Sequence, residues 1–310
     1  MNAPSLSIML RTYAPEPPDS WQPVLDVARA ADAAGVDRLV VSDHVVFGEH
    51  LDAYGRPESG GVEGGRQPTG PDGHWLEPLT ALTFVAGMTS RIRLGTNILL
   101  AALRRPVVLA KTAATLDVLS GGRLDLGVGI GWQREEYEAA GLDFGNRGEL
   151  LDHTLLVCQA FWRETAAKLD TPMLAFDAIH MMPKPAQPGG VPIWVSGRIN
   201  GRVVQRLARF GAGWIPWGDD ALSLVSSIPR MRAAVEAAGR DPTGIQVAGT
   251  LPLARADDKS IDLAKTMAGL PPLVAAGVTD FRAPLPIPAG YDPAVVYLED
   301  VVGAFRAAVA

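Results

Sequence analysis

The sequence predicts an α/β fold, a single (β/α)8 TIM barrel of parallel strands spanning residues 1–310. Three observations lead there. Strand-like and helix-like segments alternate from end to end, with eight of the former. No composition break or flexible linker divides the 310 residues, and barrels of this kind run to such lengths as one unit. No glycine fingerprint follows the first strand, which makes a doubly wound open sheet the poorer fit. No internal repeat at solenoid periods is present.

The elements follow in order. "LSIML" (6–10) is the first short apolar run. After Asp19 and Ser20 as cap candidates, Trp21, Val24, Leu25, Ala28 and Ala31 fall at helical spacing, and Gly35 stops that helix. "DRLVVS" (37–42) is the second strand, "LEPLTALTFVAGMT" (76–89) a helix and "IRLGTNILL" (92–100) the third strand. The next helix opens on Pro106, whose missing N–H is not needed at a first helical position, and closes at Ser120-Gly121-Gly122. "RLDLGVG" (123–129) is the fourth strand, "GELLDHTLLVCQAFW" (148–162) a helix, "VPIWVSG" (191–197) the fifth strand and "GRVVQRLARFGA" (201–212) a helix. "GWIPW", "IQVAGT" and "TDFRA" supply strands six to eight, with alanine-rich helical stretches beside them.

One segment breaks the alternation. From Phe47 to Trp75 the chain is rich in glycine and polar residues and keeps no period. It follows the second strand, so it rises from the C-terminal face, where barrel active sites sit, and is expected to be an inserted lid loop. The plainer reading is an ornamental surface loop.

Bulk composition excludes several partners. The chain is 47% hydrophobic and 20% charged, with 28 basic against 34 acidic residues and a net charge of −6. A general attraction to nucleic acid or to an anionic membrane is therefore not expected, and any anion must be gripped locally. No apolar stretch has the length of a membrane span, and "MNAPSLSIMLRTY" lacks a basic region ahead of an apolar one. The single cysteine, Cys158, shares a helical stripe with Leu151, Leu155 and Trp162 and reads as a buried hydrophobe. A cytoplasmic location is the expectation.

In a barrel, chemistry is sought at the strand ends. The second strand ends in Asp43-His44, the third in "GTNILL", the fourth in "GVGIGW" and the fifth in "VSGRING". The glycine-bearing ends suit the close approach of a flat, phosphate-bearing molecule to main chain, although neither G-x-G-x-x-G nor a Lys-Ser/Thr phosphate loop is present. Equally, Gly127, Gly129 and Gly131 can simply pack a strand against its helix, and the residues alone leave both readings open. His44 is the candidate for proton transfer, because imidazole titrates near neutral pH. Strand neighbours point opposite ways, so Asp43 either tunes the site, contacts the ligand or caps the loop. His50 and His74 fall in the 47–75 segment, His153 on a helix and His180 in an irregular stretch, without metal-ligand spacing, and no metal is expected.

These pieces resemble the luciferase-like (bacterial-luciferase superfamily) oxidoreductases, and within them the subgroup that uses coenzyme F420. The resemblance is carried by "AADAAGVDRLVVSDHVV", "TSRIRLGTNIL", "RRPVVLAKTAATLDVLSGGRLDLGVGIGWQREEYEAAGLDF", "RGELLDHTLLVCQAFW" and "VPIWVSGR". It runs from about Trp21 to Trp217, is most specific from Pro106 to Gly141, and fades afterwards. It implies the same eight-stranded barrel. It further implies that Gly129-Ile130-Gly131 and the helix start after Trp132 lie along the cofactor's phosphate arm. Free N–H groups at a helix start favour an anion. A non-prolyl cis bond is implied at Asn97-Ile98, behind the ring, with Asp43 and His44 lining the same pocket and His44 acting as acid or base.

Two departures from the family pattern matter. Trp132 stands where the sugar-phosphate dehydrogenase branch carries a catalytic Glu, which argues against that activity and makes Trp132 an apolar wall. Where many relatives have Gly-Gly after the fifth strand, this chain has Ser196-Gly197-Arg198. Arg198 either pairs with an anionic cofactor tail or blocks the arm. Asn200 is expected to cap the following helix, with Arg202 in its first turn as a second cation. The resemblance thus implies hydride transfer between F420 and a small, partly apolar substrate enclosed by Trp75, Trp132 and Trp217. The alternatives are an FMN-dependent monooxygenase of the same superfamily and a non-catalytic flavin-binding member. A homodimer packed through barrel helices is implied as well.

Overall fold

Eight parallel strands close into a barrel in chain order, the eighth returning to the first so that Ser5 faces Asp280. This computed structural model describes residues 3–310, and of Ser59 the backbone alone. Met1 and Asn2, where the N-terminal stretch read above begins, lie outside the described residues. The barrel strands are Ser5–Met9, Arg38–Val41, Arg93–Thr96 and Leu124–Val128, then Ile193–Gly197, Gly211–Pro216, Gln246–Thr250 and Asp280–Ala283. Each overlaps a segment expected from sequence. The second and fourth strands are buried at every position, as strands covered on both faces must be.

Helices surround the strands, and their ends obey local chemistry. Gln22–Ala34 stops at Gly35, whose φ of 86° is the left-handed conformation glycine adopts without a Cβ clash. The Ser20 hydroxyl accepts the Gln22 N–H at 3.0 Å, so the cap candidate acts one residue outside the helix. Pro106–Leu119 opens on proline and packs along Arg147–Arg163, where Trp162 Nε1 donates to Ala110 O at 3.0 Å. Cys158 is buried in that seam, and burial pushes its thiol pKa up to about 12.

Two pieces escaped the sequence reading. An antiparallel hairpin, Ala167–Asp170 with Ala175–Ile179, lies between the fourth and fifth barrel strands. It is largely exposed, so it shows no buried alternation to betray it. A two-residue ladder pairs Tyr13–Ala14 with His74–Trp75, tying the long excursion after the second strand back to the end of the first. Within that excursion only short 3-10 turns occur, at Leu51–Gly55 and Pro57–Ser59.

Beneath the mouth the barrel interior is charged. Arg38 reaches Asp125 at 3.1 Å and Asp280 at 2.5 Å, and the Ser7 hydroxyl donates to Asp280 at 2.5 Å. Burial works against the Arg38 charge, but the two carboxylates outweigh it and raise its pKa. This layer forms a rigid polar floor under the strand ends. Among the described residues, no helix is long and apolar enough to cross a membrane.

Candidate active site

A cavity of about 620 Å³ opens at the C-terminal end of the barrel, within the range of small-molecule and cofactor sites. It gathers residues from strands far apart in sequence. Asp43 and His44 come from the second strand end, Asn97 and Ile98 from the third, and Gly129, Ile130, Gly131 and Trp132 from the fourth. Ser196 and Gly197 come from the fifth, and Trp217 follows the sixth. The excursion covers one side with Tyr54, Gly60, Gln67 and Trp75.

His44 is held at both ring nitrogens. Glu136 Oε1 lies 3.3 Å from Nδ1, and the Gln67 side-chain nitrogen lies 3.4 Å from Nε2. A carboxylate accepts and an amide nitrogen donates, so these partners assign the proton to Nδ1 and make Nε2 the acceptor, which takes a proton once the Gln67 N–H moves aside. Glu136 Oε1 also accepts the Val45 N–H at 2.8 Å, which fixes the carboxylate against the strand end. Glu136 Oε2 and Gln67 Oε1 have no partner among the described residues. Aromatic rings enclose the imidazole: Phe47 at 4.5 Å, Trp75 edge-on at 4.9 Å and Trp132 edge-on at 5.8 Å. A base oriented by a carboxylate inside an apolar wall is an arrangement suited to moving a proton.

Asp43 is set apart from that pair. Its side chain is fully buried, and both oxygens are taken: by Arg104 at 2.6 and 3.1 Å and by the Leu100 N–H at 2.8 Å. Of the roles left open by the sequence, the loop-fixing one is what the geometry gives. Burial opposes the Arg104 charge, yet Asp43 and then Glu77, at 2.8 Å, raise its pKa. The segment so anchored contains the Asn97-Ile98 peptide bond, which is cis.

The glycines have packing reasons. A Cβ at Gly127 would lie 2.0 Å from Thr96 O, and one at Gly129 would lie 2.9 Å from Ile98 Cδ1. These residues let the third and fourth strand ends approach. Gly131 has a φ of 70° and turns the chain toward Trp132. The helix that follows is a six-residue one, Arg134–Ala139, with Glu135 and Glu136 in its first turn. Those two carboxylates disfavour an anion at this helix start, and Arg134 beside them favours one.

Arg198 departs from expectation. It does not line the cavity. Its guanidinium lies against Gly218, where a Cβ would meet Arg198 Nε at 2.5 Å, so the glycine makes the room it occupies. Asn200 caps its helix as expected, accepting the Val203 N–H at 3.1 Å. Arg202 instead pairs with Glu149 at 3.6 Å on the surface, so the two cations do not flank one anion.

The three tryptophans do meet at the cavity. Trp75 stacks on Tyr13 at 4.3 Å and donates to Thr69 Oγ1 at 3.0 Å. Trp132 is buried, with Tyr54 against it at 5.4 Å. Trp217 Nε1 donates to Gly60 O at 3.1 Å and Gly61 O at 3.2 Å, tying the excursion to the sixth strand. Three further residues were not foreseen: Gln67 and Arg282, which line the mouth, and the buried Glu136, which contacts His44. Among the described residues, no group of three or more His, Cys, Asp or Glu is arranged to hold a metal.

Residues 6–270 match the profile of the luciferase-like monooxygenases. The chain belongs to this family. Within it, the first curated relatives are uncharacterized mycobacterial proteins, such as one of Mycobacterium tuberculosis, 34% identical over 54% of this chain. The match spans 58% of that relative's length. An F420-dependent glucose-6-phosphate dehydrogenase of Kineococcus radiotolerans is 30% identical over 69% of this chain and 58% of its own. Among solved structures, an F420-dependent secondary alcohol dehydrogenase bound to an F420-acetone adduct superposes with a TM-score of 0.73. It is 16% identical, over 98% of this chain and all of the other. A Pseudomonas putida type II Baeyer-Villiger monooxygenase in complex with FMN superposes at 0.69, 16% identical, over 96% of each chain. At such identities the two structures establish the fold. The neighbours that share this barrel thus include an F420-dependent enzyme and an FMN-bound one.

Proposed function

We propose that this luciferase-like protein is an F420-dependent oxidoreductase acting on a small, partly apolar organic substrate. The observation that carries the reading is the His44–Glu136 pair at 3.3 Å, set in an aromatic-walled cavity at the barrel mouth. The residues present fit a flat ring: one side is the Ile98 side chain packed on Gly129, another the Trp75 and Trp132 rings. Ser42 Oγ and Gln67 Oε1 belong to cavity residues but are themselves buried, without a partner among the described residues.

When bound, the deazaflavin supplies a carbon that gives or accepts a hydride. The chain's own residues do the rest. His44 Nε2 holds or takes the proton that accompanies hydride transfer, and Glu136 offsets the charge of the imidazolium so formed. Asp43 and Arg104 fix the third strand end, and the aromatic walls exclude water from the reacting groups. Gly129, Ile130, Gly131, Ser196 and Gly197 border the space for the ring and its arm. The 30% identity to an F420-dependent enzyme over 69% of the chain favours the deazaflavin over FMN. Trp132, in place of the branch's catalytic Glu, argues for a substrate other than a sugar phosphate.

The chain is also proposed to form a homodimer through barrel helices. Phe84 on Pro78–Met88, and Val107, Val108 and Leu119 on Pro106–Leu119, are exposed apolar residues on adjacent helices. Sedimentation of the wild type and of Phe84→Glu tests this, with a dimer expected for the first and a monomer for the second.

Titration of the purified protein with F420 and with FMN, followed by ring fluorescence, tests the cofactor. Saturable binding of F420 in preference to FMN is expected. Preference for FMN would make the monooxygenase reading the correct one, and binding of neither would leave a non-catalytic barrel.

A further inference from the structure

Below the cavity the barrel interior holds Arg38 and Arg282 against Asp125 and Asp280, with the partly exposed Arg93 at the edge of the cluster. Arg93 takes both oxygens of Asp125, at 2.8 Å each. Arg38 takes Asp280 Oδ1 at 2.5 Å and shares Asp125 Oδ2 at 3.1 Å. Arg282 is left with Asp280 Oδ2 at 3.3 Å and with the neutral side-chain oxygen of Asn97. Among the described residues no third carboxylate lies within ion-pairing distance of these arginines. Asp125 is thus shared between Arg93 and Arg38, and Asp280 between Arg38 and Arg282, whose ion pair at 3.3 Å is the longest of the four.

Arg282, the least closely paired of the three, faces the cavity. Asp280 is fully enclosed, whereas the Arg282 side chain keeps 11% of its surface exposed and lines the mouth. Burial, with Arg38 adding to it and Asp280 opposing, holds the Arg282 pKa below the ordinary arginine range. The Trp194 ring lies between the two cations, 4.8 Å from Arg38 and 5.8 Å from Arg282, which offers partial relief. A guanidinium carries five N–H donors, and Asp280 and Asn97 engage only the Nε and one Nη of Arg282. The other Nη has no acceptor among the described residues. A buried cation with unused donors is unfavourable until an anion meets it.

We propose that Arg282 forms an oxyanion subsite in the floor of the cavity, and that the substrate is an apolar molecule bearing a carboxylate. The aromatic walls above take the apolar body, and the guanidinium takes the two oxygens in its planar fork. This extends the reading of the mouth as an oxidoreductase site by naming the class of substrate, and rests on it for the word substrate.

Benzoate and benzamide, which share a shape and differ in charge, test the subsite. Trp75, Trp132 and Trp217 line the cavity, so intrinsic fluorescence reports occupancy. In the wild type, benzoate should bind roughly tenfold tighter than benzamide or better, the worth of hydrogen bonds to a charged group. In Arg282→Gln, which keeps a donor for Asp280 and Asn97, the two ligands should bind equally, with benzamide unchanged. Asn97→Asp, which gives the guanidinium a carboxylate of the protein's own, should abolish the preference even if Arg282→Gln does not fold. Equal binding to the wild type, or a benzoate preference that survives either variant, overturns the proposal. Displacement of benzoate by F420 would assign the oxyanion to the cofactor and overturn the substrate class. Because benzoate is tested without cofactor, failure of F420 to bind would count against the oxidoreductase reading while leaving the subsite standing.

Discussion

Glu136 Oε1 sits between His44 Nδ1, at 3.3 Å, and the Val45 N–H, at 2.8 Å, so one carboxylate oxygen fixes both the ring and the strand end that carries it. The consequence is a defined tautomer, with Nε2 facing Gln67 and the cavity. Glu136→Gln keeps the size and an acceptor for Val45 but removes the charge that offsets an imidazolium. Turnover should fall roughly 10²-fold, at the low end of what positioned acid–base groups contribute, with KM little changed. Steady-state kinetics with F420 decide the matter; a rise in KM at constant kcat would make Glu136 a structural residue only.

Asp43 has no exposed surface, and its nearest cation is Arg104 at 2.6 Å. Arg104→Met leaves that carboxylate buried with the Leu100 N–H alone. Breaking one side of a buried pair costs roughly 3–5 kcal/mol, and Arg104 is partly exposed, so a loss of about 3 kcal/mol in urea unfolding is expected. A loss under about 1 kcal/mol would show that water replaces the guanidinium and that the third strand end is held some other way.

Trp217 joins the excursion to the barrel by donating to Gly60 O and Gly61 O. Trp217→Phe retains an apolar ring and deletes both hydrogen bonds. Limited proteolysis should then cut within residues 47–75 faster than in the wild type, with the barrel intact by circular dichroism. Unchanged cleavage would mean that the ladder of Tyr13–Ala14 with His74–Trp75 suffices to hold the segment.

Asp32 gives the acid limb of stability. Burial raises its pKa, but the N–H groups of Ser90, Ile92 and Arg91 and the Ser90 hydroxyl outweigh it, and the net shift is downward from 3.8. A depressed folded-state pKa means stability present above the unfolded value and lost as the pH falls through the folded one. Asp32→Asn should therefore lower the unfolding free energy at pH 7, by about 1–2 kcal/mol, and lower it much less once the pH falls below the folded-state value. Equal loss at both pH values would assign the effect to shape, not charge.

Much of this architecture is legible in the amino-acid order because local rules and the global fold agree. Gly35, Pro106 and Asn200 end or begin helices for reasons contained in one or two residues. Strand ends were identifiable as a mouth, and all the predicted site residues except Arg198 meet there. Arg198 escaped because a side chain's direction after a strand depends on a glycine twenty residues on, Gly218, which leaves the space it fills. Glu136 escaped because "QREEY" reads as a solvated charged face. Its burial, at 2% exposure, and the full burial of Tyr137 beside it mark the difference. Arg282 was hidden in a strand, where a charge reads as surface until its partners, Asp280 and Asn97, are known to come from the interior.

The most direct measurement is a crystal of the protein soaked with F420 and solved at a resolution that defines the ring. The ring should lie in the mouth between Ile98 and the Trp75–Trp132 wall, within reach of His44 Nε2, and Glu136 should keep its contact with Nδ1. A ring bound elsewhere, or a mouth that stays free of density at saturating F420, would contradict the account.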